Sequence, residues 1–318
     1  MLNVDSGGTT SEIHNFPLWK KKGEFAAFLQ GLKEDADMVG ITMTAELSDV
    51  FSSREEGINY IVSVCEDVFE APVYLTLDET LLKAGDIPNP LDIAAANWVA
   101  SIHFLKKKFS EGILIDCGST TTDIIPFSAS QKYPRRDIDR IKSEQLVYTG
   151  ILRTPVNTIV DAIPFGGEMV HISSEYFAIT ADVYTILGLI PSGAYSCDTP
   201  DGRGKSRSES MQRISRLLCA DFEEVGTEAV MDICRYVKER QVEKIASAIK
   251  KHDKKDAYIC GAGKILAEEA CASAGLKAMD LSMITPAHDN LPCHGLAHMI
   301  LGDDRFCKIN TEEKVLIK

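Results

Sequence analysis

Long apolar runs are missing from this sequence. No stretch approaches the ~20 apolar residues that a bilayer-spanning helix needs, so no membrane association is expected. An excess of basic charge is missing too: 34 Lys and Arg stand against 47 Asp and Glu over 318 residues, a formal net charge of −13. A nucleic-acid binder neutralises phosphate with a basic face, and the clusters Lys20-Lys21-Lys22 and Lys106-Lys107-Lys108 are short, isolated and read as solvated surface. Paired cysteine spacing is likewise absent. The nine cysteines are scattered, and no apolar leader opens the sequence, so a reducing, cytoplasmic setting is expected. No segment is of low complexity.

What is there suits a globular protein, with 45% hydrophobic and 25% charged residues, and the length suggests two domains. "MLNV" reads as a strand ending in a glycine turn, with an antiparallel return after it. "GEFAAFLQGLKED" has helical spacing, "DMVGITMT" reads as a strand, "EEGINYIVSVCEDVF" as a helix and "PVYLTL" as a strand. The Ala-rich "LDIAAANWVASIHFLKKK" predicts a long helix suited to close packing. "GILIDC" and "TDIIPFSA" predict a strand and its return. Residues 131–222 are turn-rich with weak periodicity, apart from a helix over "SESMQRISRLLCADF". A long helix follows, with Val230, Ile233, Val237, Ile245 and Ile249 on one face. "DAYICGAGKILAEEACASAG" reads strand, glycine turn, helix, and "PCHGLAHMILG" is a closing helix.

One pattern repeats. Strand-Asp-x-Gly-Gly/Ser-Thr-Thr occurs at residues 2–10 and again at 113–121. Glycines Gly7, Gly8 and Gly118 let the backbone approach a ligand closely, and the N–H groups of such turns can converge on an anion. Thr9, Thr10, Ser119, Thr120, Thr121 and Thr122 add hydroxyl donors. The acids Asp5 and Asp116 make sense beside phosphate if Mg²⁺ lies between, since Mg²⁺ takes few carboxylates together with waters and phosphate oxygens; Asp123 is a third candidate. A single copy reads equally well as a hairpin whose Asp caps backbone amides; two copies in matching contexts favour a metal–phosphate clamp. The third turn, Gly261, Ala262 and Gly263, offers a wall for a nucleotide or other ligand tail, or simple close packing. His294 and His298, at i and i+4 on the closing helix with His288 and Cys293 nearby, lack a second ligand pair for a metal. Cys117, among acids, reads as a small filler rather than a nucleophile.

The three turns in this order resemble the acetate and sugar kinase/actin superfamily, and "GSTTTD" resembles the second phosphate loop of its hydantoinase/oxoprolinase branch. "MTAEL", "AAANW", "DCGSTTTDIIP", "LVYTGILRTPV", "EYFAITADVYTILG", "DTPDGR" and "RLLCAD" are similar to stretches of one archaeal and methylotroph family, tied to one-carbon metabolism on tetrahydromethanopterin and methanofuran. The resemblance covers residues 1 to about 265. It implies an α/β fold of two ribonuclease-H-like lobes around a phosphate cleft, residues 1–110 and 111–318, with a family-specific insertion at about 131–222. It also implies a transferase of methanofuran biosynthesis, joining the phenol oxygen of γ-glutamyltyramine to an aminomethylfuran-methyl diphosphate with release of diphosphate. Arg153 would then take a carboxylate or phosphate, Glu46, Glu175 or Asp182 would serve the phenol, and Asn97 and Trp98 would line the pocket. Where many relatives have Asn-Thr-Lys after the first glycine pair, this chain has Thr9-Thr10-Ser11-Glu12, a less cationic loop. The alternatives are an ATP-dependent kinase or ligase and a nucleotide-gated scaffold. The expected partner is a small phosphorylated molecule, and the sequence leaves room for a homo-oligomer.

Overall fold

The structure is a computed structural model. It describes residues 2–5, 8–14, 16–33, 36–191, 193–285, 290–302 and 315–317, with the side chains of residues 2–9 and 315–317 outside the description. In chain order the elements are β1 (Leu2–Asp5), β2 (Gly8–Ser11), α1 (Leu18–Lys21), α2 (Phe25–Gly31), β3 (Met38–Ile41), α3 (Arg54–Val68), β4 (Val73–Leu75), β5 (Leu81–Lys83), α4 (Asn97–Lys108), β6 (Glu111–Cys117), β7 (Thr122–Ser128) and α5 (Asp137–Lys142). Then come β8 (Leu146–Val147), β9 (Ala162–Phe165), β10 (Glu168–His171), α6 (Thr180–Leu187), α7 (Arg207–Ser215), α8 (Phe222–Ile249), β11 (Asp256–Cys260), α9 (Lys264–Ala274), β12 (Lys277–Asp280), α10 (Leu291–Leu301) and β13 (Val315–Ile317). The mixed α/β class is that expected.

The chain divides into two compact units. The first holds residues 1–111, 127–135 and 284–318; the second holds 112–126 and 136–283. The division is therefore not a single cut near residue 110. The closing helix groups with the amino-terminal unit because α10 lies directly on α4: a Cβ on Gly295 would stand 2.0 Å from the Ala100 carbonyl oxygen. That contact is the close packing which the Ala-rich stretch predicts.

The first unit's sheet runs β2-β1-β13-β3-β4-β5. Strand β13, not anticipated from the sequence, pairs antiparallel with β1 and parallel with β3. Helix α3 starts where Ser53 Oγ accepts from Glu56 N at 3.1 Å, an N-cap that satisfies one of the first turn's orphan amides. It packs Ile58, Ile61 and Cys65 against Val39, Ile41 and Tyr74.

The second unit's sheet runs β12-β11-β6-β7-β8, with β11 parallel to both β12 and β6. Apolar β6 and β11 residues pack on α8 and α9 through Ile113, Ile115, Ile245, Ile249, Ile259 and Leu266. A second apolar cluster gathers Val156, Ile163, Val183, Ile214, Val230, Ile233 and Val237 from the turn-rich stretch, α6, α7 and the first half of α8. Helix α8 thus serves two cores in succession, beyond a break at Gly226 (φ 80°).

Buried charge ties the turn-rich stretch together. Arg213 on α7 is fully buried; its Nε donates to Asp182 Oδ1 at 2.8 Å, and its Nη1 donates to Asp201 Oδ1 at 3.0 Å and to Gly204 O at 3.1 Å. Removing one partner of such a pair leaves an uncompensated buried charge. Arg213→Met should cost about 3–5 kcal/mol in urea unfolding, and adding Asp182→Leu should recover part of that loss.

Candidate functional site

Strand β6 carries buried residues through Ile115 and surfaces at Asp116. There its parallel neighbour β11 aligns Cys260 with Asp116. The chain then turns at residues 118–121, where Gly118 N donates to Thr121 O at 2.9 Å. The turn is held from behind by main-chain groups of "GILRT". Ile151 N donates to Gly118 O at 3.0 Å, and Leu152 N and Arg153 N donate to Ser119 O at 3.0 and 2.8 Å. A Cβ on Gly150 would lie 2.6 Å from Gly118 O and from Thr120 N, so only glycine allows this approach. The amides of Ser119, Thr120 and Thr121 have no acceptor among the described residues. With carbonyls engaged from behind and three amides in reserve, the turn has the donor set of an anion-binding nest. Ser119 Oγ and Thr120 Oγ1 lie 3.4 Å apart and half-buried beside it.

Thr122 does not belong to that set. It is fully buried, and its hydroxyl donates to Thr149 O at 2.7 Å. The fourth hydroxyl of "GSTTTD" is a strut between β7 and the brace, because alternation along β7 turns it inward.

The acids divide similarly. Asp116 keeps partial solvent contact, yet desolvation raises its pKa to about 7, reinforced by the Asp123 charge and opposed by a hydrogen bond from the Cys260 thiol. None of these groups is a cation. Asp123 is raised by burial as well but is committed to an ion pair with Arg140, which is itself buried. Cys117 is buried and pushed up to about 12, chiefly by desolvation, which suits a filler and not a nucleophile.

The third glycine turn packs on this same strand end. A Cβ on Gly261 would meet Asp116 Oδ1 at 2.4 Å, and one on Gly263 would meet Cys117 Sγ at 2.4 Å. Gly263 N donates to Cys117 O at 2.8 Å. Close packing alone requires both glycines, and Ala262 points outward, exposed. Helix α9 starts at Lys264, so its positive end stands beside the turn.

Arg153 has an exposed side chain whose charge acts on Tyr176 and on Cys197. Glu175 is exposed, its carbonyl accepting from Asn157 Nδ2 at 3.2 Å. Asp182 is not available as a base: it is fully buried and accepts from Arg213, from Tyr195 OH at 3.1 Å and from Ile179 N at 3.1 Å. In the first unit, β1 and β2 pair Asp5 with Gly8, and Thr10 is exposed. Gly7 lies outside the described residues, as do His288 and the side chains of Asp5 and Thr9. Glu46 is buried 3.5 Å from Arg54 Nε. Trp98 is core, 4% exposed, its ring 5.1 Å from that of Tyr133; Asn97 beside it is half-buried at the start of α4. The rings of His294 and His298 meet Phe104 and each other edge-on or tilted, and burial lowers His294 to about 4. No group of three or more potential ligands for a metal occurs among the described residues.

The chain belongs to the hydantoinase/oxoprolinase family, whose model matches residues 37–296. The chain is similar to the (4-{4-[2-(gamma-L-glutamylamino)ethyl]phenoxymethyl}furan-2-yl)methanamine synthase of Methanocaldococcus jannaschii, 35% identical over 90% of this chain and 95% of that one. The synthase of the same name from Methanococcus vannielii is 37% identical over 50% of this chain and 73% of its own length. A solved structure of nucleotide-free acetone carboxylase aligns with a TM-score of 0.48 at 12% identity, over 76% of this chain and 37% of that one.

The Gly150 approach is tested by Gly150→Ala. The added methyl should displace the 118–120 backbone and weaken anion binding about tenfold or more, read by calorimetry with Mg²⁺ and diphosphate. The raised Asp116 pKa also has a sign. The native carboxyl holds its proton more tightly than the unfolded chain, whose carboxyl titrates near ~3.9. Its contribution to stability is therefore complete below about pH 4 and lost as pH rises through about 7. Asp116→Asn should flatten that fall in urea midpoints measured without metal, and should be the more stable protein at pH 8.

Proposed function

We propose that this chain joins the phenol oxygen of γ-glutamyltyramine to an aminomethylfuran-methyl diphosphate, releasing diphosphate, as a transferase of methanofuran biosynthesis. The similarity to the M. jannaschii synthase along nearly the whole of both chains carries this reading. The turn at residues 118–121 supports it by offering a place for the leaving group.

The bond from the furan-methyl carbon to the diphosphate oxygen breaks with its electron pair on diphosphate, and the furan ring spreads the positive charge left on carbon. The phenol oxygen forms the new C–O bond and gives up its proton. The chain's part is to stabilise the departing charge with the amides of Ser119, Thr120 and Thr121 and their hydroxyls, assisted by the positive end of α9. Arg153, exposed next to the brace, suits the γ-glutamyl carboxylate. Of the carboxylates considered for the phenol, Glu175 is the exposed one.

Mg²⁺ fits the donor set, since Asp116 is a carboxylate crowded by a second acid with no cation acting on it. Asp116, with Asp5 across the repeat, would hold it, and the ion would supply charge neutralisation for diphosphate. In this reading each of the two units is a ribonuclease-H-like lobe carrying one copy of the Asp-Gly-Thr pattern. The setting is cytoplasmic.

The full-length protein with Mg²⁺ and the two substrates should release one diphosphate per ether formed, with no nucleotide consumed, and should bind diphosphate more tightly than ATP. Ether or phosphoester formation that requires ATP and yields ADP would replace this reading by the kinase or ligase one. Slow ATP hydrolysis without either product would point to a nucleotide-gated scaffold.

A further inference from the structure

Gln241 interrupts the apolar stripe of α8. Val237 lies four residues before it and Ile245 four after, and all three are fully buried. The position is a seam: Val237 belongs to the cluster with α6 and α7, and Ile245 to the cluster beneath the β6 sheet. A buried side-chain amide is costly unless its polar atoms find partners. Here they do. Tyr184 OH donates to Oε1 at 2.7 Å, and Nε2 donates to Thr149 Oγ1 and to Gly150 O, both at 2.9 Å.

The acceptors of those bonds form the back of the anion turn. Gly150 O also accepts from Thr180 Oγ1 at 3.0 Å and from Thr154 Oγ1 at 3.3 Å, while Gly150 N donates to Thr154 Oγ1 at 2.8 Å. Thr149 O takes the Thr122 hydroxyl. Residues 149 and 150 are thus fixed by hydrogen bonds, and Gly150 stands against 118–120 with no space even for a methyl. Apolar packing does not call for an amide at this seam; Leu or Met would bury more apolar surface. What the amide adds is a directional link from α8 through Gly150 to the turn.

We propose that Gln241 is a positioning residue for the anion-binding turn: its side-chain amide, itself oriented by Tyr184, fixes Gly150 and thereby the amides of Ser119, Thr120 and Thr121. The inference rests on the reading of residues 118–121 as the diphosphate-binding turn.

Gln241→Met keeps the approximate volume and removes the amide. In the full-length protein, hydrogen–deuterium exchange of peptides covering 113–125 should quicken several-fold. The dissociation constant for diphosphate with Mg²⁺ should rise about tenfold, and the KM for the furan diphosphate should rise more than that for the phenol. Ile233→Val, on the same helix but in the other cluster, should lower thermal stability without moving any of these readouts. Thr180→Val, which removes one donor to Gly150 O, should act in the same direction with smaller effect, and decides the matter if Gln241→Met does not fold. Exchange and affinity indistinguishable from the parent protein in the folded variants would overturn the proposal. If the parent protein itself binds no diphosphate, the ligand reading fails, and the exchange measurement alone decides whether Gln241 positions the turn.

Discussion

The second unit's site depends on one backbone-to-backbone contact, that of Gly150 with the turn at residues 118–120. Two main chains come close enough that a single methyl group would collide with three atoms of the turn. This proximity lets the amides of residues 151–153 reach the carbonyls of Gly118 and Ser119, and with those carbonyls engaged the turn's own amides remain for a ligand. Hydrogen bonds between main-chain groups need no particular side chain at either end, but they do need the chains to meet, so the specificity of the arrangement is carried by a glycine.

Much of this was legible in the sequence. The strands ending at Cys117 and Cys260, the glycine turns after them and the long helix follow from periodicity and punctuation. The repeated Asp-Gly-Thr pattern marked residues 118–121 as the place to look. What periodicity could not reveal was the partner of the turn. The stretch from 146 to 156 reads as turn-rich sequence without a period, and nothing local says that its backbone braces a loop thirty residues earlier. Gln241 left a trace, as a polar residue in step with Val237 and Ile245, but one sequence does not say what a buried amide will hold. Thr122, Trp98 and Asp182 are all buried, which their residue chemistry in the sequence does not reveal. A threonine facing inward from a strand, a tryptophan beneath Tyr133 and an aspartate closed around Arg213 all serve the fold.

Electrostatics separates two acids that the sequence treats alike. Asp123 has Arg140 to offset its burial, whereas the groups acting on Asp116 are another acid and a thiol. Desolvation and like charge push Asp116 toward neutrality, and such a group is relieved by any cation that arrives with a ligand. The same crowding keeps Cys117 protonated, so a cysteine in the middle of the site is chemically quiet there.

The brace uses only the main chain of Ile151, Leu152 and Arg153, and that has an evolutionary side. Ile151 and Leu152 point into the core while Arg153 faces solvent. The outward side chain can therefore be exchanged without disturbing the hydrogen bonds that its own amide makes. A lineage can vary the chemistry displayed beside the turn at this one position, with the backbone geometry of residues 118–120 inherited unchanged.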